Sequence, residues 1–137
     1  LVCGGKRILS ESGGNYLEPS VFVNVHPGSR LAQEEIFGPV LSVFSFKTAQ
    51  EAIQLANSTA YGLAAYVWTS DLATGMKLGN ESVSGITLIN GKPPVGEGPG
   101  HSCSIEPCGY SGIGIEGGLK GMETLMRKQS IWVNYGH

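Results

Sequence analysis

The sequence predicts an α/β fold built on a parallel sheet, and two observations support that prediction. Apolar runs of strand length alternate with helical runs over residues 39–90, in the order strand, helix, strand, helix, strand. Each helical run begins at a good helix-capping residue, Thr48 or Asp71. This alternation is typical of parallel strands joined by crossover helices. The 137 residues are about one domain in length and long enough to bury a core.

The N-terminal part is predicted to consist of strands and turns. Glycine pairs at 4–5 and 13–14 indicate tight turns around a short edge hairpin. Residues 16–25 are predicted to be extended, with Pro19 near the start, where its missing N–H does least harm. After a further turn, residues 30–36 are predicted to hold one helical turn.

The first predicted crossover lies between two apolar strands. Residues 39–46 are rich in Val, Leu and Phe in near-continuous sequence, as expected of a strand covered on both faces. Thr48 and Glu51 form a capping-box sequence, in which each side chain satisfies a free N–H, so a helix is predicted to run to about Asn57. The next strand is predicted over residues 63–69.

The second predicted crossover is a helix from Asp71 to about Glu81, followed by a strand over residues 83–90. Gly75 and Gly79 weaken this helix by up to about 1 kcal/mol each relative to alanine.

The regular pattern breaks after residue 90. Residues 91–112 are too rich in glycine and proline to continue a helix or a strand, so a functional or mobile loop is expected there. A helix is predicted over 117–128 from apolar residues at helical spacing. The chain ends in a β-prone run, 129–135, whose edges would invite pairing. From the residues alone, pairing within the chain and pairing with a neighbouring subunit are equally open.

Composition and charge argue against several classes of protein. A formal charge of -2 without a basic run argues against nucleic acid and against an anionic membrane surface. No apolar stretch approaches the roughly 18 to 20 residues that span a bilayer. Three cysteines without a CxxC pair favour a reducing cytoplasm and no metal site. Residues 1–7 lack the order of a signal peptide, and a chain that begins on Leu1 is expected to lack its true N-terminus.

The segment 33–40 has the strongest chemical signal. Glu34 and Glu35 precede an aromatic residue and then Gly38-Pro39, which fixes a sharp turn before a strand. A carboxylate held there can accept hydrogen bonds from two vicinal ribose hydroxyls, and the ring of Phe37 can line a planar ligand. The alternative, a solvated acid pair followed by a core phenylalanine, is favoured when the segment is considered by itself.

This segment resembles the E-E-I-F-G-P-V signature of the aldehyde dehydrogenase superfamily. Other matches follow in register over nearly the whole chain outside 91–110. They are a Glu-Pro pair at 18–19, a helix and turn over 48–65, a Gly-x-x-x-x-Asn strand at 85–90 and a Ser-Gly-x-Gly-x-Glu motif at 111–116. Because several separate motifs agree in order and spacing, the resemblance is specific.

The resemblance implies the fold, the domain organisation and the function. Residues 1–128 would be the C-terminal part of a three-layer α/β catalytic domain with a parallel sheet, and 129–137 an oligomerisation strand. The whole enzyme would oxidise an aldehyde to a carboxylic acid with NAD or NADP, and would be a homo-oligomer through 129–135. A non-catalytic binding or assembly module derived from that fold is the alternative.

The resemblance also implies roles for single residues. Glu35 corresponds to the glutamate that hydrogen-bonds the nicotinamide ribose, and Phe37 to the aromatic residue that packs near the nicotinamide. Asn90 falls where the strand runs toward the substrate tunnel. Glu116 matches a position that some members use in a buried polar network, although a glutamate favoured by a helix dipole explains it equally well.

Two departures limit what the resemblance implies. Residues 107–112 replace the family's Pro-Phe-Gly-Gly-x-Lys-x-Ser-Gly with a segment three residues shorter that lacks the lysine, so no substrate entrance or cation site is assigned there. The family's nucleophilic cysteine, its general base and most of its cofactor domain lie upstream of the matched segments. Cys3, Cys103 and Cys108 match no nucleophile motif. We therefore expect no catalytic residue in this chain and no activity from it alone.

Overall fold

The computed structural model describes residues 1–91 and 103–136. The chain divides into two compact units, Leu1–Ala60 and Tyr61–His137, a division that the sequence does not mark. Each unit contains one parallel pair of strands, which confirms the predicted α/β class. The assignment of residues 1–128 to a single domain remains a prediction.

The first unit contains a hairpin and a parallel pair. Strands β1 (Arg7–Ile8) and β2 (Tyr16–Leu17) are antiparallel, and a short 3-10 turn, Ser10–Ser12, lies between them, as the predicted edge hairpin requires. Strand β3 (Ser20–Phe22) is parallel to β4 (Val40–Ser42). The predicted strand over 39–46 is therefore shorter in the structure.

Two helices belong to the first unit, α1 (Arg30–Gln33) and α2 (Ala49–Ala56). At the start of α2 the hydroxyl of Thr48 accepts a hydrogen bond from the N–H of Glu51 at 3.1 Å. The carboxylate of Glu51 accepts from the N–H of Lys47 at 2.7 Å, one residue before the N–H that a capping box would use. The predicted start of this helix is thus confirmed. The hydrogen bond to the Glu51 carboxylate comes from Lys47 and not from Thr48.

The second unit is built around strands β5 (Tyr61–Gly62), β6 (Ala64–Val67) and β7 (Ile86–Ile89). Strands β6 and β7 are parallel, and the helix between them, α3 (Leu72–Glu81), packs against both. The predicted β-α-β arrangement is confirmed here. The three predicted strands do not form one ladder, because β4 pairs with β3 whereas β7 pairs with β6.

Helix α3 begins at a capping aspartate and packs through a glycine. The carboxylate of Asp71 accepts hydrogen bonds from the N–H groups of Ala73 and Thr74 at 3.1 and 3.2 Å, which confirms the predicted start. Gly75 is buried against β7, where an added Cβ would lie 3.0 Å from the Cγ2 of Ile89. Glycine weakens the helix but permits this close approach.

The end of the chain differs most from the predictions. Within the segment 91–112, which was expected to be irregular, strand β8 (Cys108–Gly109) pairs antiparallel with β5; residues 92–102 lie outside the described residues. Helix α4 (Gly118–Thr124) is shorter than the predicted 117–128, mainly because it ends at Thr124.

The terminal run forms no strand over 129–136, the part of it that the structure describes. A β-prone run needs a partner edge to supply its hydrogen bonds, so pairing within the chain is not what the structure shows. Its use as an oligomerisation strand remains a prediction.

The described residues bury little apolar surface. Ile53 is the buried hydrophobic residue of these ranges, with 6% of its surface exposed, whereas Leu41 in β4 is 58% exposed. The expectation that residues 39–46 are covered on both faces therefore does not hold for β4 in this chain. None of the helices in the described ranges has the length and apolar character that a bilayer crossing requires.

Candidate functional site

The turn after α1 is held by backbone contacts. The C=O of Pro39 accepts a hydrogen bond from the N–H of Ser20 in β3 at 2.8 Å, and the C=O of Gly38 accepts one from the N–H two residues later at 2.7 Å. The second bond closes a three-residue turn just before β4. The hydroxyl of Ser42 donates to the C=O of Leu31 at 3.1 Å, which ties α1 to β4. The acid pair therefore lies between two anchored elements.

Only one of the two acids, Glu34, is paired within the described residues. Arg30 donates to both carboxylate oxygens of Glu34, from Nε and from Nη2, each at 2.8 Å. These hydrogen bonds, with the positive charge of the guanidinium, hold the pKa of Glu34 below its ordinary value. Glu35 is exposed and, among the described residues, accepts no hydrogen bond and forms no ion pair. Its oxygens are therefore open to a ligand.

Phe37 is held in an unusual conformation. Its φ is 53°, in the left-handed region that costs a non-glycine residue about 1–2 kcal/mol, and 91% of its surface is exposed. The described residues of this chain therefore do not cover Phe37, and the choice between a core and a ligand-facing phenylalanine remains a prediction. An exposed ring on a backbone fixed by Gly38 and Pro39 can cover one face of a planar ligand.

A groove of about 410 Å³ lies beside the acid pair and is lined by Arg30, Leu31, Glu34, Glu35 and Ile36. Small-molecule sites have volumes of about 300–1,000 Å³. An ionised carboxylate only accepts hydrogen bonds, which suits the two hydroxyl donors of a ribose. The groove therefore has the volume of a small-molecule site, and the ring of Phe37 lies outside its lining.

Asn90 connects the carboxyl ends of β6 and β7. Its Oδ1 accepts from the N–H of Thr69 at 2.9 Å, and its Nδ2 donates to the C=O of the same residue at 2.7 Å. Its own N–H donates to the C=O of Val67 at 2.8 Å, which continues the β6–β7 ladder. The side-chain amide is thus engaged with the neighbouring strand end. The position of Asn90 beside a substrate tunnel remains a prediction.

Glu116 is fixed through its main chain. Its N–H and C=O bond to Ile105 at 3.0 and 2.8 Å, and its side chain is exposed. No described residue hydrogen-bonds that side chain, so the polar network that the resemblance implies is not formed by this part of the chain. Its role stays a prediction.

The segment that departs from the family motif is ordered by its own contacts. The rings of Tyr61 and Tyr110 meet edge to face with centroids 6.0 Å apart, and the N–H of Gly62 donates to the Ser111 hydroxyl at 2.9 Å. The thiol of Cys108 donates to the C=O of Gly62 at 3.6 Å. Cys108 is thus a packing residue of the β5–β8 pair, and all three cysteines are free thiols.

Sequence reasoning missed two partners of these residues. Arg30 lies four residues before Glu34, a spacing at which opposite charges meet on a helix, so a local signal for that pair was present. Thr69 is 21 residues from Asn90, and no local pattern could have joined them. The candidate functional site is the turn of the first unit that holds Glu34, Glu35 and Phe37.

Comparison with known proteins then gives the family. The profile of the aldehyde dehydrogenase family matches residues 1–131. The aldehyde dehydrogenase of Enchytraeus buchholzi is 38% identical over 136 residues, which are 97% of this chain and 26% of that protein. The betaine aldehyde dehydrogenase of Cereibacter sphaeroides is 39% identical over 138 residues, a match that covers 99% of this chain and 27% of that protein.

A solved structure agrees with these relatives. An indole-3-acetaldehyde dehydrogenase in complex with NAD+ superposes with a TM-score of 0.86 at 42% identity, over 96% of this chain and 26% of that one. The chain belongs to the aldehyde dehydrogenase family. It spans about a quarter of the length of the relatives it matches.

Proposed function

We propose that this chain forms part of an enzyme that oxidises an aldehyde to a carboxylic acid with NAD+ or NADP+. In that reaction the cofactor accepts a hydride from the aldehyde carbon, and water supplies the second carboxylate oxygen. Family membership supports the reaction class. NAD+ is favoured because the related indole-3-acetaldehyde dehydrogenase was solved with NAD+.

The observation that carries this proposal is the open carboxylate of Glu35 next to the occupied Glu34. Glu35 accepts hydrogen bonds from the hydroxyls of the nicotinamide ribose and so orients the ring attached to it. Phe37 shields one face of that ring from water. These residues bind and orient, and the nucleophile is contributed from outside this chain.

A hybrid enzyme tests the proposal. The chain replaces the matching quarter of indole-3-acetaldehyde dehydrogenase, and turnover is followed by the absorbance of reduced nicotinamide after aldehyde and NAD+ are added. We expect turnover by the hybrid and none by the 137-residue chain alone. A correctly folded hybrid that binds NAD+ but does not turn over contradicts the proposal, and so does turnover by the isolated chain.

The role of Glu35 has its own test in the hybrid. Glu35→Gln loses the charge of the acceptor, so the Kd for NAD+ is expected to rise about tenfold. Glu11→Gln is the matched control, because Glu11 is also exposed, lies in the 3-10 turn and does not line the groove. An unchanged Kd and an unchanged rate of hydride transfer in Glu35→Gln would rule out the role.

A second candidate function is a non-catalytic assembly module. It is favoured by the exposed large apolar side chains, among them Leu125 at 90% and Trp132 at 92%. This module would restore oligomer formation to a relative that lacks the matching quarter without restoring turnover. Recovery of both properties by the hybrid excludes it.

We further propose a cytoplasmic homo-oligomer joined through residues 129–135, with no nucleic acid or membrane partner. Ile131 and Tyr135 are 78% and 85% exposed, which leaves this run available to pair with a second copy. Free thiols support a reducing compartment, and a net charge of -2 disfavours polyanions.

A further inference from the structure

The ion pair between Arg30 and Glu34 is bidentate. The guanidinium donates from Nε and Nη2 to separate oxygens of the carboxylate, each at 2.8 Å. Both side chains are largely exposed, at 88% and 55%. Exposed pairs are weak unless their geometry is favourable, and the two parallel hydrogen bonds of a guanidinium on a carboxylate are the favourable case.

This pair spans the whole of α1. Arg30 is the first residue of the helix and Glu34 follows its last residue, with a backbone N–H donated by Glu34 to the C=O of Arg30 at 2.9 Å. A helix of one turn has few backbone hydrogen bonds. The two side-chain bonds from Arg30 to Glu34 add to the backbone bond between the same residues, and together they fix the direction of the chain at Glu34. The chain then passes directly to Glu35.

Adjacent carboxylates compete for the same ligand and repel each other. Arg30 neutralises Glu34 and engages both of its oxygens, whereas Glu35 stays open. Arg30 and both acids line the same groove. The groove therefore presents one available carboxylate to a ligand.

We infer that Arg30 is a positioning residue for the cofactor: by holding Glu34, it makes Glu35 the acid that receives the ribose hydroxyls. This inference rests on the proposed role of Glu35. Arg30 itself does not touch the reacting atoms. Its loss frees a second carboxylate beside Glu35 and loosens the turn that presents it.

The first test is Arg30→Met in the hybrid enzyme. The Kd for NAD+ is expected to rise about two- to fivefold, the change that corresponds to an exposed ion pair, with kcat unchanged at saturating cofactor. Arg30→Lys keeps the charge but loses the bidentate geometry, so its Kd for NAD+ should lie between those of the unsubstituted hybrid and of Arg30→Met. Arg7→Met is the matched control, because Arg7 is also exposed and, among the described residues, its side chain donates to the C=O of Gly14 and to no carboxylate. Its Kd should stay unchanged.

A double-mutant cycle with Glu35→Gln separates positioning from a general structural effect. If Arg30 acts through Glu35, Arg30→Met adds nothing to the Kd in the Glu35→Gln background. An equal rise in both backgrounds overturns the inference. If Glu35→Gln raises the Kd and Arg30→Met does not, the inference fails while the proposed function stands. If Glu35→Gln has no effect, the proposed role of Glu35 and the inference fail together.

Discussion

Asn90 shows how one side chain can extend a parallel ladder beyond its last residue. Its φ is 51°, a region that asparagine tolerates better than most residues because its short amide bonds locally. The amide then bonds both main-chain groups of Thr69, two residues beyond the end of β6. Backbone conformation and side-chain chemistry thus select the same residue.

Substitution of Asn90 separates these two contributions. Asn90→Ala loses two hydrogen bonds and places alanine at positive φ, so the free energy of unfolding should fall by about 2 kcal/mol. Asn90→Gly loses the same bonds but tolerates the φ, so its loss should be smaller. Hydrogen exchange at the Thr69 amide measures the local effect. Unchanged protection of that amide in Asn90→Ala would contradict the assignment.

At the scale of the element, the two glycines of α3 should respond in opposite directions to alanine. A Cβ on Gly75 would lie 3.0 Å from Ile89 Cγ2 and 3.2 Å from Thr69 Cγ2, whereas a Cβ on Gly79 finds its nearest atom at 3.5 Å. Gly79→Ala should therefore stabilise the protein by up to about 1 kcal/mol, the gain in helical propensity. Gly75→Ala should destabilise it by about 1–2 kcal/mol, since the side chains of Ile89 and Thr69 must shift to admit the methyl group.

Thermal denaturation of the two variants side by side tests this pair. Each variant is the control for the other, because both make the same substitution in the same helix. Stabilisation by Gly75→Ala would show that β7 yields to the added methyl group.

The start of α3 should depend on pH. Hydrogen bonds to Asp71 from the Thr74 hydroxyl, and then from the N–H groups of Ala73 and Thr74, hold the pKa of its carboxyl below the ordinary value of 3.8. A lowered pKa in the folded state means that the stabilising cap is complete above 3.8 and is lost as the pH falls through the folded-state pKa. The amide resonance of Thr74 should titrate with that pKa, and Asp71→Asn should abolish the titration. A midpoint above 3.8 would contradict this cap.

The elements that the sequence predicted well are those whose signals are local. Thr48 and Asp71 mark their helices because a cap bonds within three residues. Strand lengths and pairing partners were harder to predict. An apolar run such as 39–46 indicates that a strand is buried, but it does not show which strand it pairs with. The choice of Glu35 over Glu34 was made by resemblance, and its physical basis, the hydrogen bonds from Arg30, became visible only in the structure.

At the scale of the whole molecule, exposed apolar side chains are the dominant property. Each unit has them, among them Phe37 at 91% in the first unit and Ile113 at 99% in the second. Large apolar side chains that a complete core would bury are on this surface, and relatives about four times longer have the additional chain to cover them. The isolated chain should therefore associate or bind hydrophobic dyes.

The terminal run gives a sharper prediction for the hybrid. Trp132→Glu places a charge in the proposed intersubunit strand, so the hybrid should dissociate into smaller species in sedimentation experiments. Trp132→Phe keeps an apolar ring and should retain the assembly. Unchanged assembly in Trp132→Glu would exclude residues 129–135 as the joining strand.

The packing of Cys108 against Gly62 makes this thiol a built-in reporter of local opening. Its sulfur is partly shielded and directed at the Gly62 carbonyl, while Cys3 and Cys103 are exposed. An alkylating reagent should thus modify Cys3 and Cys103 faster than Cys108. Separation of β5 and β8 should speed up the modification of Cys108, so its rate follows the opening of this pair without an introduced label.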